Sequence, residues 1–136
     1  MPMINAIFVN MPIENLKRSV DFFTSLGFTF NPQFTAEDST CMIVGPNIYV
    51  MLVERQKFAG FINKPIADKS TTEAILSLSC ESRDEVDRLS KTAFAAGARQ
   101  IHEPTDHGFM YSWNFEDLDG HLWDLFWMDP ERLPQK

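Results

Sequence analysis

The order of predicted elements repeats once along this chain of 136 residues. Residues 4–53 have the pattern of a strand, a helix and three strands, and residues 73–129 repeat the order βαβββ. Such self-similarity usually means that neither copy can bury its hydrophobic face alone. We therefore predict one fold unit of the α+β class, made of two βαβββ modules at 1–54 and 73–136 and a linker or cap segment at 55–72.

Each predicted helix has recognisable ends. Pro12 should end the first strand, Asn15 is a good N-cap for the helix that follows, and Gly27 is its C-terminal stop. The second helix opens with the capping box SRDE, in which the Ser82 side chain can bond to the Glu85 amide. The Glu85 carboxylate is then expected to return to the Ser82 amide. The second helix should be about one turn longer than the first.

The last predicted strand lies within the sequence FEDLDGHLWDLFWMD, residues 115–129, and is apolar on both faces. Alternation places Leu122, Asp124 and Phe126 on one face, with Trp123 and Leu125 on the other. A strand that is apolar on both sides is typical of the centre of a covered sheet. Because an unpaired buried carboxylate is costly, Asp124 should face a cation, a metal, a ligand donor or a water-filled cavity.

Polar side chains on neighbouring predicted strands share the face of Asp124. The strand before it alternates aromatic residues with Ser112 and Asn114. If its aromatic face packs on the helices, Ser112 and Asn114 point into the same cavity as Asp124. Asn10 and Ser77 then join from the first strands of the two modules. An exposed polar face is the alternative, and alternation fits it equally well.

Composition narrows the choice of partners. Nineteen acidic against 12 basic residues give a formal net charge of -7, which opposes binding to nucleic acid and to anionic membranes. No apolar run is long enough to cross a bilayer, and the N-terminus has no basic flank of a signal peptide. Cys41 and Cys80 lack metal-binding spacing. We expect a cytoplasmic protein with reduced thiols and a small-molecule partner.

Two segments resemble the vicinal oxygen chelate superfamily, which includes glyoxalase I, extradiol dioxygenases, fosfomycin-resistance enzymes and bleomycin-resistance proteins. The first module opens with AIFVNMPIENLKRSVDFFTSLGF, similar to the family's strand, capped helix and "FY…LGF" ending. The second closes with DLDGHLWDL, similar to the family's D-P-D-G-H/N-x-x-E strand. The resemblance covers residues 4–129. It implies a U-shaped mixed sheet around a cavity, with the helices on the outer face.

The resemblance also implies where a metal would bind. Metal-dependent members take their ligands from the middles of the first and last strands of each module, which here correspond to Phe8, Met51, Ile75 and Asp124. Only Asp124 can bind a divalent metal, and the other possible register replaces Ile75 by the equally apolar Leu78. The usual metal site is therefore predicted to be absent, and we expect no cofactor. A divalent metal held by other ligands is the disfavoured alternative.

Two functions stay open. One is a bleomycin-resistance-like protein that binds a small organic molecule in the sheet cavity, and the other is a glyoxalase-like lyase or dioxygenase with an unfamiliar metal ligand set. The expected ligand-binding residues are Phe8, Asn10, Met51, Ile75, Ser77, Ser112, Asn114 and Asp124. The resemblance further implies a homodimer, because sheets of this family are commonly completed or flanked by a partner.

Asp124 and His107 are the candidate catalytic residues. His107 could act as a general acid or base oriented by Asp106, since imidazole titrates near neutrality and a carboxylate fixes its tautomer. A loop histidine without a chemical role is the alternative for His107, and a buried acid paired with a neighbour is the alternative for Asp124. His121 follows a glycine in a turn and is expected to be structural.

Overall fold

The computed structural model describes residues 1–132 of the chain, which divides into two compact units, Met1–Ile66 and Ala67–Lys136. Each unit has its own mixed β-sheet, so the α+β class is confirmed. The boundary between the units falls inside the segment predicted as a linker, residues 55–72. No helix among the described residues is long and apolar enough to span a membrane.

The first unit has a four-stranded sheet in the order β1-β4-β3-β2, in which β1 and β4 run parallel. Its elements are β1 (Ile7–Ile13), α1 (Leu16–Ser25), β2 (Thr29–Asn31), a 3-10 turn (Pro32–Phe34), β3 (Ser39–Gly45), β4 (Ile48–Glu54) and α2 (Arg55–Ala59). The predicted order βαβββ is confirmed for this module. β2 is short, because the 3-10 turn begins at Pro32.

Helix α1 forms where its caps predict. The Asn15 side chain accepts a hydrogen bond from the Arg18 amide at 2.9 Å, and Gly27 follows the helix with a φ of 99° that favours glycine. Phe22 and Phe23 on this helix are buried. The sheet residues buried with them alternate along β1 and β4: Met11, Ile13, Val50 and Leu52. One face of the first sheet therefore forms the core with α1.

Strand β1 does not end at Pro12 as predicted, but continues to Ile13 in parallel register with β4. Proline has no N–H to donate to a neighbouring strand. A central strand has a hydrogen-bonded neighbour on each side, whereas an edge strand has one on one side only and can accept a proline. Because β1 is an edge strand of its sheet, Pro12 fits within it opposite Val53.

The second unit has a five-stranded sheet in the order β5-β9-β8-β6, with β7 also paired to β8. Its elements are β5 (Ile75–Ser79), α3 (Arg83–Ala95), β6 (Arg99–Gln100), β7 (Thr105–Asp106), β8 (Met110–Glu116), β9 (Leu122–Met128) and a 3-10 turn (Pro130–Arg132). β6 and β7 are each only two residues long. Pro104 lies in the break between them, where it cannot donate to a ladder.

Helix α3 begins at the predicted capping box, with one difference. The Glu85 amide donates to Ser82 Oγ at 3.1 Å, but the Glu85 carboxylate accepts from the Glu81 amide at 2.9 Å instead of the Ser82 amide. The helix has 13 residues against 10 in α1, about one turn more. It packs on β8 and β9, where Phe115, Trp123 and Leu125 are buried. The aromatic face of β8 therefore faces the helix.

Candidate functional site

A pocket of about 570 Å³ lies on the sheet of the first unit. Its floor is formed by β1, β3 and β4 side chains that alternate with the residues buried beside α1, so it occupies the other face of the sheet. The lining residues are Phe8, Asn10, Gln33, Phe34, Thr35, Ala36, Ser39, Met51, Val53, Lys57 and Phe61. Three of the eight predicted ligand-binding residues, Phe8, Asn10 and Met51, are therefore in this pocket.

Three phenylalanine rings around the pocket are unusually exposed. The exposed fractions are 45% for Phe8, 51% for Phe34 and 62% for Phe61. Phe8 stacks on Tyr49 with 4.6 Å between ring centroids, which holds its ring in place. A mostly apolar concave surface of this kind is the usual form of a small-molecule site.

Hydrogen bonds hold some of the polar side chains of the pocket in position. Lys57 Nζ donates to Asp38 Oδ1 at 3.0 Å and to Ser39 Oγ at 2.9 Å. Thr35 and Thr40 share a hydrogen bond of 2.8 Å between their hydroxyls. The Asn10 amide makes a long contact of 3.5 Å to the Phe8 carbonyl.

Eight lining residues escape the sequence analysis, among them Gln33, Phe34, Lys57 and Phe61. Gln33 and Phe34 are on the 3-10 turn. Two local features indicate this turn: Pro32 at its start, and Asn31, whose side chain accepts a hydrogen bond from the Gln33 amide. Lys57 belongs to α2, and Phe61 follows that helix. An aromatic residue within the predicted linker was the available signal for Phe61, but nothing local shows which way its side chain faces.

The second unit brings together three predicted site residues on adjacent strands. Ser77 and Asn114 are each directly opposite Asp124 in the sheet register. Ser77 Oγ donates to Asp124 Oδ2 at 3.1 Å. Asn114 Oδ1 is buried and has no hydrogen-bond partner within residues 1–132. Asp124 is partly exposed, so the sequence-based picture of a strand covered on both sides is too strong here.

Ser112 and Ile75 lie on the same face of the second sheet as Asp124. Ser112 is two residues from Asn114 and Ile75 is two residues from Ser77, and side chains two residues apart on a strand share a face. Ile75 is among the exposed large apolar residues. The aromatic face of β8 packs on α3, and Ser112 and Asn114 share the face of Asp124.

His107 is not oriented by Asp106. The Asp106 carboxylate accepts two hydrogen bonds from Arg83, at 2.8 and 3.1 Å, and these bonds lower the pKa of Asp106 below its usual range. The Arg83 guanidinium also lies 5.2 Å from the Tyr111 ring centroid and 5.1 Å from that of Trp127. Asp106 therefore holds the loop to α3, and His107 is left as an exposed loop residue.

A set of buried hydrogen bonds surrounds Asp117 at the start of the turn between β8 and β9. Its carboxylate accepts from the Asp119 and His121 amides at 2.9 and 3.0 Å and from Trp123 Nε1 at 2.9 Å. Burial raises the pKa of Asp117, while the three donors and the nearby imidazole oppose that rise. His121 Nδ1 lies 2.7 Å from Glu73 Oε1. These contacts give His121 the structural role that the sequence suggested.

The two aspartates should respond differently to the same isosteric substitution. Asp124→Asn should change the free energy of unfolding by less than about 1 kcal/mol, because Asp124 is partly exposed and a carboxamide can still accept from Ser77. Asp117→Asn should cost about 1 to 3 kcal/mol, because the new NH₂ group meets existing donors. Urea denaturation of both variants measures this. If Asp124→Asn lowers the free energy of unfolding as much as Asp117→Asn does, Asp124 stabilises the fold.

Side chains that could hold a metal are scarce. Within residues 1–132 there is no group of three or more His, Cys, Asp or Glu side chains placed to hold one ion. Phe8 and Met51 in the first unit offer no oxygen or nitrogen ligand. Asp124 with Ser77 and Asn114 offers oxygen ligands on the second sheet, but only one of them is charged.

Comparison with solved structures finds the same fold in several proteins. A hypothetical protein from S. aureus is 28% identical, with a TM-score of 0.79, and the match covers 92% of this chain and 95% of that one. A glyoxalase/bleomycin resistance protein/dioxygenase family enzyme from Burkholderia phytofirmans is 16% identical, with a TM-score of 0.74 and coverage of 89% and 96%. A glyoxalase-related enzyme from Fulvimarina pelagi is 17% identical, with a TM-score of 0.77 and coverage of 93% and 88%.

Comparison with curated proteins gives no match. A family model, in contrast, matches residues 6–125, which is most of the chain and includes strands of both sheets. The matched family is the one that the two sequence segments resemble, and the fold of the solved structures agrees with it. The chain belongs to the Glyoxalase/Bleomycin resistance protein/Dioxygenase superfamily.

Proposed function

We propose that this protein binds a small organic molecule with a flat apolar body in the pocket of the first unit. The observation that carries the proposal is the set of three exposed phenylalanine rings, Phe8, Phe34 and Phe61, around a concave sheet surface. Exposed aromatic rings that converge on one cavity lose their contact with water when a flat ligand enters, which favours binding. The volume of about 570 Å³ is in the range of small-molecule pockets.

An NMR titration tests this proposal directly. We expect 2-naphthamide, a flat neutral probe, to shift the backbone amide signals of Asn10, Gln33 and Lys57, which line the pocket. Signals of the second unit, such as those of Ser77 and Asn114, serve as the internal control. Absence of shifts at millimolar probe, or shifts spread evenly over both units, would contradict binding in this pocket.

A metal-dependent lyase or dioxygenase is the alternative function. The observation in its favour is the Ser77, Asn114 and Asp124 group on the second sheet, in which Asn114 Oδ1 is buried without a partner in the described residues. Such a group could hold a ligand oxygen or nitrogen, or, with further ligands, a cation. Asp124 and Ser77 would then take part in binding the substrate of that reaction.

We propose that no stoichiometric divalent metal is bound, because one carboxylate is a poor ligand set. Treatment with a chelator should therefore leave the melting temperature unchanged, since a ligand stabilises a protein only where it binds the folded state. Differential scanning fluorimetry with and without chelator measures this. A drop of several degrees that one equivalent of zinc, nickel or manganese restores would favour the metal-dependent enzyme.

Two further proposals come from the sequence and the family. One is a cytoplasmic location, which the net charge of -7 fits because it opposes binding to anionic membranes. The other is a homodimer. Light scattering at tens of micromolar protein should give twice the chain mass of 15.6 kDa. A monomer mass under those conditions would reject the homodimer.

A further inference from the structure

We propose that Lys57 makes the pocket of the first unit selective for aromatic molecules that carry one anionic group, with an aromatic carboxylate as the simplest example. This inference deepens the proposed function and rests on it, because it concerns the same pocket. It adds the charge and the hydrogen-bonding type of the ligand, which the three aromatic rings alone do not determine.

The first support is the position of the Lys57 ammonium. Lys57 Nζ is fixed by hydrogen bonds to Asp38 Oδ1 at 3.0 Å and Ser39 Oγ at 2.9 Å, and the same side chain lines the pocket. An ammonium group has three N–H donors, of which these two bonds use two. Within the described residues the third donor has no acceptor. A lysine that is already held in place loses little further freedom when it binds an anion.

The second support is the kind of polar group around the rings. Among residues 1–132, no aspartate or glutamate lines the pocket, and this includes Asp38, the partner of Lys57. The remaining polar side chains include the amides of Asn10 and Gln33, which have N–H groups to donate. A ligand in this pocket therefore meets a cation and several donors without a lining carboxylate. Charged hydrogen bonds of this kind are stronger than neutral ones.

The overall charge of the chain does not decide the charge of the ligand. A net charge of -7 disfavours the approach of anions at long range, but salt screens exposed charges beyond about 8 Å at physiological ionic strength. Direct contact with Lys57 acts within hydrogen-bonding distance, where screening is weak. The acidic composition and an anion-selective pocket are thus compatible, and binding should be measured at physiological salt.

Two probes of equal shape separate the aromatic contribution from the charge. Isothermal titration calorimetry should show that the wild-type protein binds 2-naphthoate about tenfold more tightly than neutral 2-naphthamide, as expected for one charged hydrogen bond. In Lys57→Met the apolar stem is kept and the charge is lost. This variant should bind both probes with similar affinity, close to that of the wild type for 2-naphthamide. Lys57→Gln should behave in the same way.

The variant Asp38→Asn is the matched control, because it breaks the same ion pair and keeps the lysine. It should bind 2-naphthoate as tightly as the wild type or about two- to fivefold more tightly, since a competing carboxylate is removed. If Asp38→Asn loses the preference for 2-naphthoate as Lys57→Met does, the ion pair and not the ammonium shapes the pocket, and the inference is wrong.

The failure of this inference differs from the failure of the proposed function. Equal affinity of the wild type for both naphthalene probes overturns the anion preference and leaves aromatic binding intact. A preference for 2-naphthoate that persists in both Lys57 variants likewise overturns the role of Lys57. Binding of neither probe to the wild type overturns the proposed function itself, and the inference with it.

Discussion

Replacing Trp123 with alanine should lower the free energy of unfolding by about 3 to 5 kcal/mol, the usual cost of removing a large buried ring. Trp123 is 1% exposed and packs on Phe115 in the core of the second unit. Its indole N–H also donates to the buried Asp117 carboxylate, which would lose one of its three donors. Urea denaturation followed by far-UV circular dichroism measures the change.

Trp127 on the same strand is the matched control. It is only partly buried and contacts the Arg83 guanidinium, so Trp127→Ala should cost less, about 1 to 2 kcal/mol. A Trp123→Phe variant separates packing from hydrogen bonding, because it keeps an aromatic ring and removes the N–H. Equal losses for the two alanine variants would show that Trp123 is not the centre of this core.

The double variant Phe34→Ala/Phe61→Ala should weaken binding of 2-naphthamide by about thirtyfold or more. Each ring that contacts an aromatic ligand contributes roughly 1 to 2 kcal/mol, and the two contributions combine when both rings are removed. Both side chains are more than half exposed, so their removal should leave the stability of the fold within about 0.5 kcal/mol of the wild type. Calorimetry and urea denaturation together distinguish lost binding from lost folding.

Phe109→Ala is the control for this effect, because Phe109 is also exposed, at 41%, but belongs to the second unit and does not line the pocket. Its affinity for the probe should equal that of the wild type. If the double variant binds as the wild type does, the exposed rings are not the binding surface. If Phe109→Ala loses as much affinity as the double variant, the probe binds exposed apolar surface without selecting the pocket.

The fold could be predicted from the sequence because its signals are local. Asn15 and Ser82 cap their helices through amides three residues away, and Gly27 provides the positive φ at the end of α1. Alternation along β8 and β9 gives the correct faces, since side-chain direction in a strand depends only on parity. The family resemblance rested on the same segments, and the family match confirms it.

Part of the candidate site followed from the family resemblance and from strand parity. Phe8, Asn10 and Met51 line the pocket of the first unit, and Ser77, Asn114 and Asp124 meet on the second sheet. The direction of a side chain within a strand, however, does not determine whether that side chain is buried. Asp124 is partly exposed and lies opposite the polar Ser77 and Asn114, and a single strand carries no information about its neighbours.

The tertiary structure alone decided the remaining walls and partners. The pocket joins residues from β1 to Phe61, so it depends on how the 3-10 turn and α2 fold back onto the sheet, which no local pattern determines. Asp106 binds Arg83, 23 positions away, instead of its neighbour His107, because adjacent side chains diverge while the β7 loop contacts α3. The sequence determined the elements and their faces through short-range geometry, whereas long-range packing decided which side chains meet.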